Sequence, residues 1–228
     1  MMTSDEVRSN LRELILREEI LPNERLIETV YAERFSTSRS VVRKALATLE
    51  REGLVVIEPF KGAHVRRITD KEAIEITEVR STLETLLIRY AAQRAGDEDK
   101  AALRQALQTA QEVLRLGSPI DVGAAARRVR EQMWQISGHS TARNILSNIN
   151  SQLIRIWFHA ILLPGRPEQI LEDLARVVEA IEANRPELGV AAIHNYHEHS
   201  MIALLRAIEM AGARNPGRAL NALLSATP

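Results

Sequence analysis

The chain contains no cysteine, carries no formal net charge and has no long apolar run. Each absence removes a class of function. Without cysteine there is no disulfide framework and no thiol nucleophile. The 30 Lys and Arg residues balance the 30 Asp and Glu residues, so the whole chain does not advertise a nucleic-acid or membrane partner, and only a local patch could. No stretch approaches the roughly 18 apolar residues of a membrane span. The first residues, MMTSDEVRSNLRELILREEI, are charged and amphipathic, without the apolar core of a signal sequence. These features lead to the expectation of a cytoplasmic protein. What is present is an ordinary globular mixture: 228 residues, 45% apolar and 26% charged, enough for one large domain or two small ones.

The periodicity changes once along the chain. Val7, Leu11, Leu14 and Ile15 share one helical face, which predicts a helix from about Ser4 to Glu19. Pro22 in LPNERL interrupts it. A short helix follows at about Glu28 to Phe35. Ser38 is placed to cap a third helix, and Gly53 ends that helix after about Glu52. LVVIEPFKGAHVRRI then reads as two strands around PFKG, with Gly62 free to take positive φ. Three helices and a hairpin wing over residues 1–69 make a winged helix-turn-helix. From residue 70 to 228 the strand signal is gone. Helical patterns fall at about 71–95, 98–116, 122–137, 140–162, 167–184, 186–212 and 216–225, separated by Gly, Pro, Ser and Asp clusters. Links this short favour an antiparallel bundle of six to seven helices, so the expected fold is mainly α.

The third helix separates its residue types. Val42, Ala45, Leu46 and Leu49 form one stripe, and Arg39, Ser40, Arg43 and Lys44 the other. Residues 34–67 hold eight Lys or Arg against three acids, a local +5 in a neutral chain. Such segregation is the footprint of a nucleic-acid partner. A helix of this kind fits the major groove, where an arginine can donate twice to a guanine edge. Lys61, Gly62 and His64 in the wing are placed to reach phosphates or the minor groove.

The run ERLIETVYAERFSTSRSVVRKALATLEREGLVVIEPFKGAHV resembles the DNA-binding domain of GntR-type transcription regulators. The matching residues are Ser38, Arg39, Val42, Arg43, Ala45, Leu46, Leu49, Glu52, Gly53 and Leu54. The helical remainder, with EITEVRSTLETLLIRYAAQRA and QISGHSTARNIL, resembles the sensing domain of the FadR subfamily. The resemblance implies a homodimeric repressor that binds a double-stranded operator and responds to a small effector. Thr29, Val41 and Ile27 depart from the family pattern, which implies a different operator and a weakly capped second helix.

The same resemblance implies a metal site, built in many such domains from an Asp-x-x-x-His pair and two later histidines. With SGH at 137–139 setting the register, those positions are Ala126, Arg130, Leu174 and Tyr196. All four ligands are replaced, so no metal and no other cofactor is expected. A shifted site using His194 or His197 is the alternative. Arg130 is then the expected anchor for an anionic, carboxylate effector, because a guanidinium binds carboxylate bidentately. Arg80 is the expected second cation, with Trp134, Tyr196 and His197 on the wall. The competing readings are that Arg130 turns outward or braces the bundle against an acid, and that the domain only dimerises. An enzyme is not expected, since no nucleophile–histidine–acid spacing, phosphate loop or metal quartet is present. Ile76, Val79, Leu83, Leu86, Leu87 and Tyr90 supply an apolar face for pairing two copies.

Overall fold

Thr3 starts the first helix by accepting from the Glu6 N–H at 3.3 Å, while the Glu6 carboxylate accepts from the Thr3 N–H at 2.7 Å. This reciprocal cap opens α1 (Ser4–Leu16). The computed structural model describes residues 2–17 and 19–214, and only the backbone of residues 151, 155 and 211–214. The chain divides into two units, Met1–Ala73 with Asn148–Arg155, and Ile74–Ser147 with the chain from Ile156 onward. The division falls inside three helices rather than at loops.

In the first unit α1 is followed by α2 (Glu28–Arg34) and α3 (Arg39–Arg51). As its residue type dictates, Ile27 gives α2 no side-chain cap, whereas Ser38 accepts from the Val41 N–H at 3.4 Å to open α3. Gly53 closes α3 at φ +74°, a conformation glycine adopts without steric cost. The wing pairs β1 (Val55–Glu58) with β2 (Gly62–Val65), antiparallel, in the register Val55↔Val65 to Glu58↔Gly62. The segment after Pro22 covers the other edge of β2: Asn23 N–H donates to Val65 O at 2.9 Å and Leu26 N–H to Ala63 O at 2.8 Å. Val7, Leu11, Ile15, Val42, Leu46, Leu49 and Val65 are buried together as the core.

The second unit is all helical among the described residues. Its helices are α4 (Asp70–Arg94), α5 (Asp97–Leu116), α6 (Pro119–Ile136), α7 (Ser140–Gln152), α8 (Ile154–Ala160), α9 (Arg166–Glu182) and α10 (Pro186–Arg214). The starts of α4 and α7 fall as the pattern predicts, but the single helix expected over 140–162 is two. Leu153, fully buried, sends its N–H to Asn150 O at 3.2 Å and interrupts the i→i−4 ladder. The residues before it, Ser147, Asn148 and Asn150, favour helix interiors poorly. The helix expected at 216–225 lies outside the described residues. The core is formed by Leu87, Ile88, Val129, Met133, Trp134, Leu146, Leu174, Val177, Ile181 and Leu204.

Helix α4 carries two stripes. Thr77, Arg80, Glu84, Leu87, Ile88 and Ala91 face inward. Val79 and Leu86 stand exposed, with Ile76, Leu83 and Tyr90 half-buried beside them. Leu87 therefore leaves the expected pairing face, because it packs into its own protomer's core.

At the wing tip Phe60 is fully exposed and held at φ +65°. It packs against nothing that would offset this conformation, which L-residues other than Asn and Asp visit at a cost. Phe60→Asn should therefore stabilise the protein by about 0.5–1 kcal/mol. Urea unfolding of the two proteins checks this, and an unchanged midpoint contradicts it.

Candidate nucleic-acid interface and buried effector centre

The solvent face of α3 follows from burial of the opposite stripe. With Val42, Ala45, Leu46 and Leu49 in the core, Arg39, Ser40, Arg43 and Lys44 are exposed. Two of these side chains are already oriented. Arg43 donates from Nε and Nη2 to the two oxygens of Glu28, each at 2.7 Å, and Arg39 Nη2 lies 3.6 Å from the same carboxylate. The Arg43 hydrogen bonds, aided by the charges of Arg43 and Arg39, hold the Glu28 carboxyl below its usual range. In water such a pair contributes little stability, so a nucleic acid can compete for the fork at small cost. Glu28 carries no sequence signal, because an acid at the first position of a helix reads as ordinary end charge. In the wing, Lys61 is exposed and sits 2.6 Å from Glu58, and His64 is half-buried 3.8 Å from the same residue. Gly62 takes φ +83° with open space around its α-carbon.

The second unit gathers the five residues expected to hold an effector. Arg80, Arg130, Trp134, Tyr196 and His197 are all buried, on α4, α6 and α10. They meet around Glu84, which is fully buried. Arg130 donates Nη2 to Glu84 Oε1 at 2.6 Å, Nε to Oε2 at 3.1 Å, and Nη1 to the Tyr196 hydroxyl at 3.1 Å. Arg80 Nη2 reaches Glu84 Oε1 at 3.1 Å, and His197 Nε2 lies 3.7 Å from Oε2. The Arg80 guanidinium lies 5.2 Å from the Trp157 ring centre, and that of Arg130 lies 5.2 Å from Trp134.

This corrects the expectation that Arg130 offers an unclaimed charge. Its fork is filled by an internal carboxylate. Burial alone pushes the Glu84 carboxyl up, but the charges of Arg130 and Arg80 and their hydrogen bonds hold it far below the carboxylate range. Burial pushes His197 down despite Glu84, so its ring is neutral at pH 7. Burial and then the Arg130 charge lower Arg80. Two guanidiniums thus share one carboxylate, leaving a surplus positive charge. Among the described residues, Arg80 Nε, Trp134 Nε1 and both ring nitrogens of His197 have no hydrogen-bond partner. The N–H groups of Arg80 and Trp134 thus lack an acceptor.

The residues do not fit a metal. Ala126 and Leu174 are buried without a donor atom, Tyr196 accepts from Arg130, and Arg130 brings a cation to where a cation would bind. For the shifted alternative, His194 is exposed while His197 is buried, so the two do not face one site. Among the described residues no group of three His, Asp or Glu converges on one point. No helix among them is long and apolar enough to cross a membrane.

A three-helix head with a β wing, joined in one chain to a helical unit with a charged buried centre, defines a ligand-responsive DNA-binding protein. The model of the FCD domain matches residues 75–199, more than half of the chain, and that of the bacterial regulatory proteins of the gntR family matches residues 3–65. The chain belongs to the GntR family of transcription regulators, in which the winged head binds DNA and the FCD domain binds an effector. It is 25% identical over 205 residues to the uncharacterized HTH-type transcriptional regulator YdhC of Bacillus subtilis, covering 88% of this chain and 90% of that one. It is 27% identical over 250 residues to the HTH-type transcriptional repressor NanR of Klebsiella aerogenes, covering 96% and 80%. The solved structure of E. coli McbR/YncC superimposes with a TM-score of 0.70 at 18% identity, over 90% of this chain and 99% of that one. The Bacillus and Klebsiella relatives are named as regulators of transcription.

Removing the shared carboxylate leaves two buried guanidiniums without a counter-charge. Glu84→Ala should cost about 3–5 kcal/mol in urea unfolding. His197 gives a second test. Its folded pKa lies below the unfolded value of 6.5, so below that pH the unfolded chain takes up a proton the buried ring refuses. Stability should fall as pH drops below the unfolded value, by at most about 1.4 kcal/mol per pH unit from this group. His197→Gln should flatten the profile there, and an unchanged profile contradicts the assignment.

Proposed function

We propose that this chain is a transcription repressor that acts in the cytoplasm as a homodimer. Its operator affinity changes when a small carboxylate-bearing anion binds the helical unit without a metal. Within the family, the resemblance of the helical run favours the FadR subfamily. The name of the Klebsiella relative, a repressor, supports the sense of control.

One observation carries the effector reading. Arg80 and Arg130 face a single acid, Glu84, and the unaccepted N–H groups of Arg80 and Trp134 stand around them with His197. An acceptor-rich anion supplies both the missing charge and the missing acceptors. It binds beside Glu84, with Arg80 and Trp134 making the new hydrogen bonds and Tyr196 and His197 flanking it. Arg130→Ala is therefore a poor test, since it strands Glu84. Thermal unfolding against a panel of carboxylates, followed by operator binding with the best of them, is the direct experiment. Trp134→Phe and Arg80→Gln should each weaken the effector by about tenfold, with operator affinity in its absence unchanged. If no carboxylate shifts either readout, the unit serves only to pair two copies.

On the DNA side, Arg39 and Arg43 read bases, Ser40, Lys44, Lys61 and His64 hold the backbone, and Gly62 lets the wing approach it. Arg39→Ala or Arg43→Ala should cost about 1–3 kcal/mol at the operator and relax specificity. Lys44→Ala and Lys61→Ala should weaken binding to all sequences and flatten its salt dependence. Gel-shift titration at several salt concentrations separates the two patterns, and an Arg39→Ala protein with full specificity overturns the assignment. Pairing runs through Ile76, Val79, Leu83, Leu86 and Tyr90 of α4. Sedimentation should give a dimer at micromolar concentration, lost in Val79→Glu.

A further inference from the structure

We propose that a cavity between the start of α9 and the second half of α10, whose Arg166 guanidinium lies 6.0 Å from the Tyr196 ring of the Glu84 centre, is a second anion site that takes a small oxyanion, carboxylate or phosphate. The cavity is about 280 Å³, and its walls include Gly165, Arg166, Gln169, His199, Ile202 and Arg206. Among the described residues no acid lines it. That volume is below the range of drug-sized ligand pockets but suits one compact anionic group.

Arg166 is the decisive residue. It is only 4% exposed, yet its partners are neutral: Nη1 donates to Gln169 Oε1 at 3.0 Å and Nη2 to Ser200 Oγ at 2.7 Å. The nearby acid, Asp173, is committed elsewhere. It accepts from His199 Nδ1 at 2.7 Å and lies 3.6 Å from Arg176. Among the described residues no carboxylate stands within ion-pair distance of Arg166. A buried guanidinium without a counter-charge is costly, and an anion in the cavity it lines removes that cost. Burial lowers the Arg166 pKa accordingly, with the Arg130 charge adding to the effect against Tyr196 and Asp173.

The other walls agree. Arg206 is exposed on α10 and has no ion-pair partner among the described residues. His199, whose Nδ1 is held 2.7 Å from Asp173 Oδ2, forms part of the same wall. Gly165 opens α9 at φ +74° with no side chain to cap it, so the positive end of a 17-residue helix adds to the field. The groups facing the site are thus Arg166, His199 and Arg206, with Asp173 behind His199.

The proposal is independent of effector control, because its readout is binding itself. Thermal unfolding of the full chain is followed in sodium phosphate and, as a second arm, sodium acetate, each against sodium chloride at equal ionic strength. A saturable rise in Tm beyond chloride is expected. Response to phosphate alone assigns a phosphate site, and response to acetate assigns a carboxylate site. Arg206→Ala, on the surface, should raise the apparent Kd about tenfold or more. Arg166→Met should abolish the response while remaining as stable as the parent in chloride, since it removes an uncompensated charge. Trp134→Phe, which alters the Glu84 centre, should leave the response intact. The proposal is overturned if neither anion exceeds chloride, if Arg206→Ala titrates like the parent, or if Trp134→Phe abolishes the response.

Discussion

Glu84 is a carboxylate cut off from water, and the centre of the helical unit is arranged around its charge. An ionised acid at that depth persists only if cations and hydrogen-bond donors replace its hydration. Arg130 supplies two parallel donors from α6 and Arg80 one from α4 itself, with His197 of α10 close by. Once the Arg130 fork is fixed on Glu84, its remaining nitrogen meets the Tyr196 hydroxyl. An apolar cluster of equal volume would hold three helices together at least as firmly. It would not leave a surplus positive charge and unaccepted N–H groups at one point. Bundle stability alone does not call for this arrangement.

The two Arg–Glu pairs show how environment decides what one contact does. Arg43 grips Glu28 with the same two-pronged geometry that Arg130 uses on Glu84. On α3 the pair stands in water, where attraction between charges is weak and easily replaced. There the carboxylate orients a guanidinium without locking it in place. Around Glu84 the same bond lies where solvent does not screen it, and neither member can leave alone without stranding the other. One pairing presents an arginine, and the other commits it. Arg166 is a third case: buried like Arg130, but joined only to neutral acceptors.

Much of the DNA-binding unit was legible from the chain, because its signals are local. Ser38 caps the helix that begins one residue later, and Gly53 and Gly62 sit at positive φ where a helix ends and a wing turns. The stripe of Arg39 and Arg43 opposite Val42 and Leu46 needs only the helical period. The break at Leu153 was not legible, since no glycine or proline marks it. The five residues expected at the effector centre do converge, but the partner that changes the role of Arg130 stands 46 positions earlier. Within RSTLETLL, Glu84 reads as one more charge on a solvated face.

The sequence by itself determined the order of helices and wing and the polarity of the third helix. These follow from backbone preferences and periodicities within a few positions. Tertiary structure decided which of many charges leave water and what they meet there: Glu84 between two arginines, Leu87 in the core and Arg166 beside a cavity without an acid. Desolvation belongs to everything packed around a group, and most of that comes from distant parts of the chain.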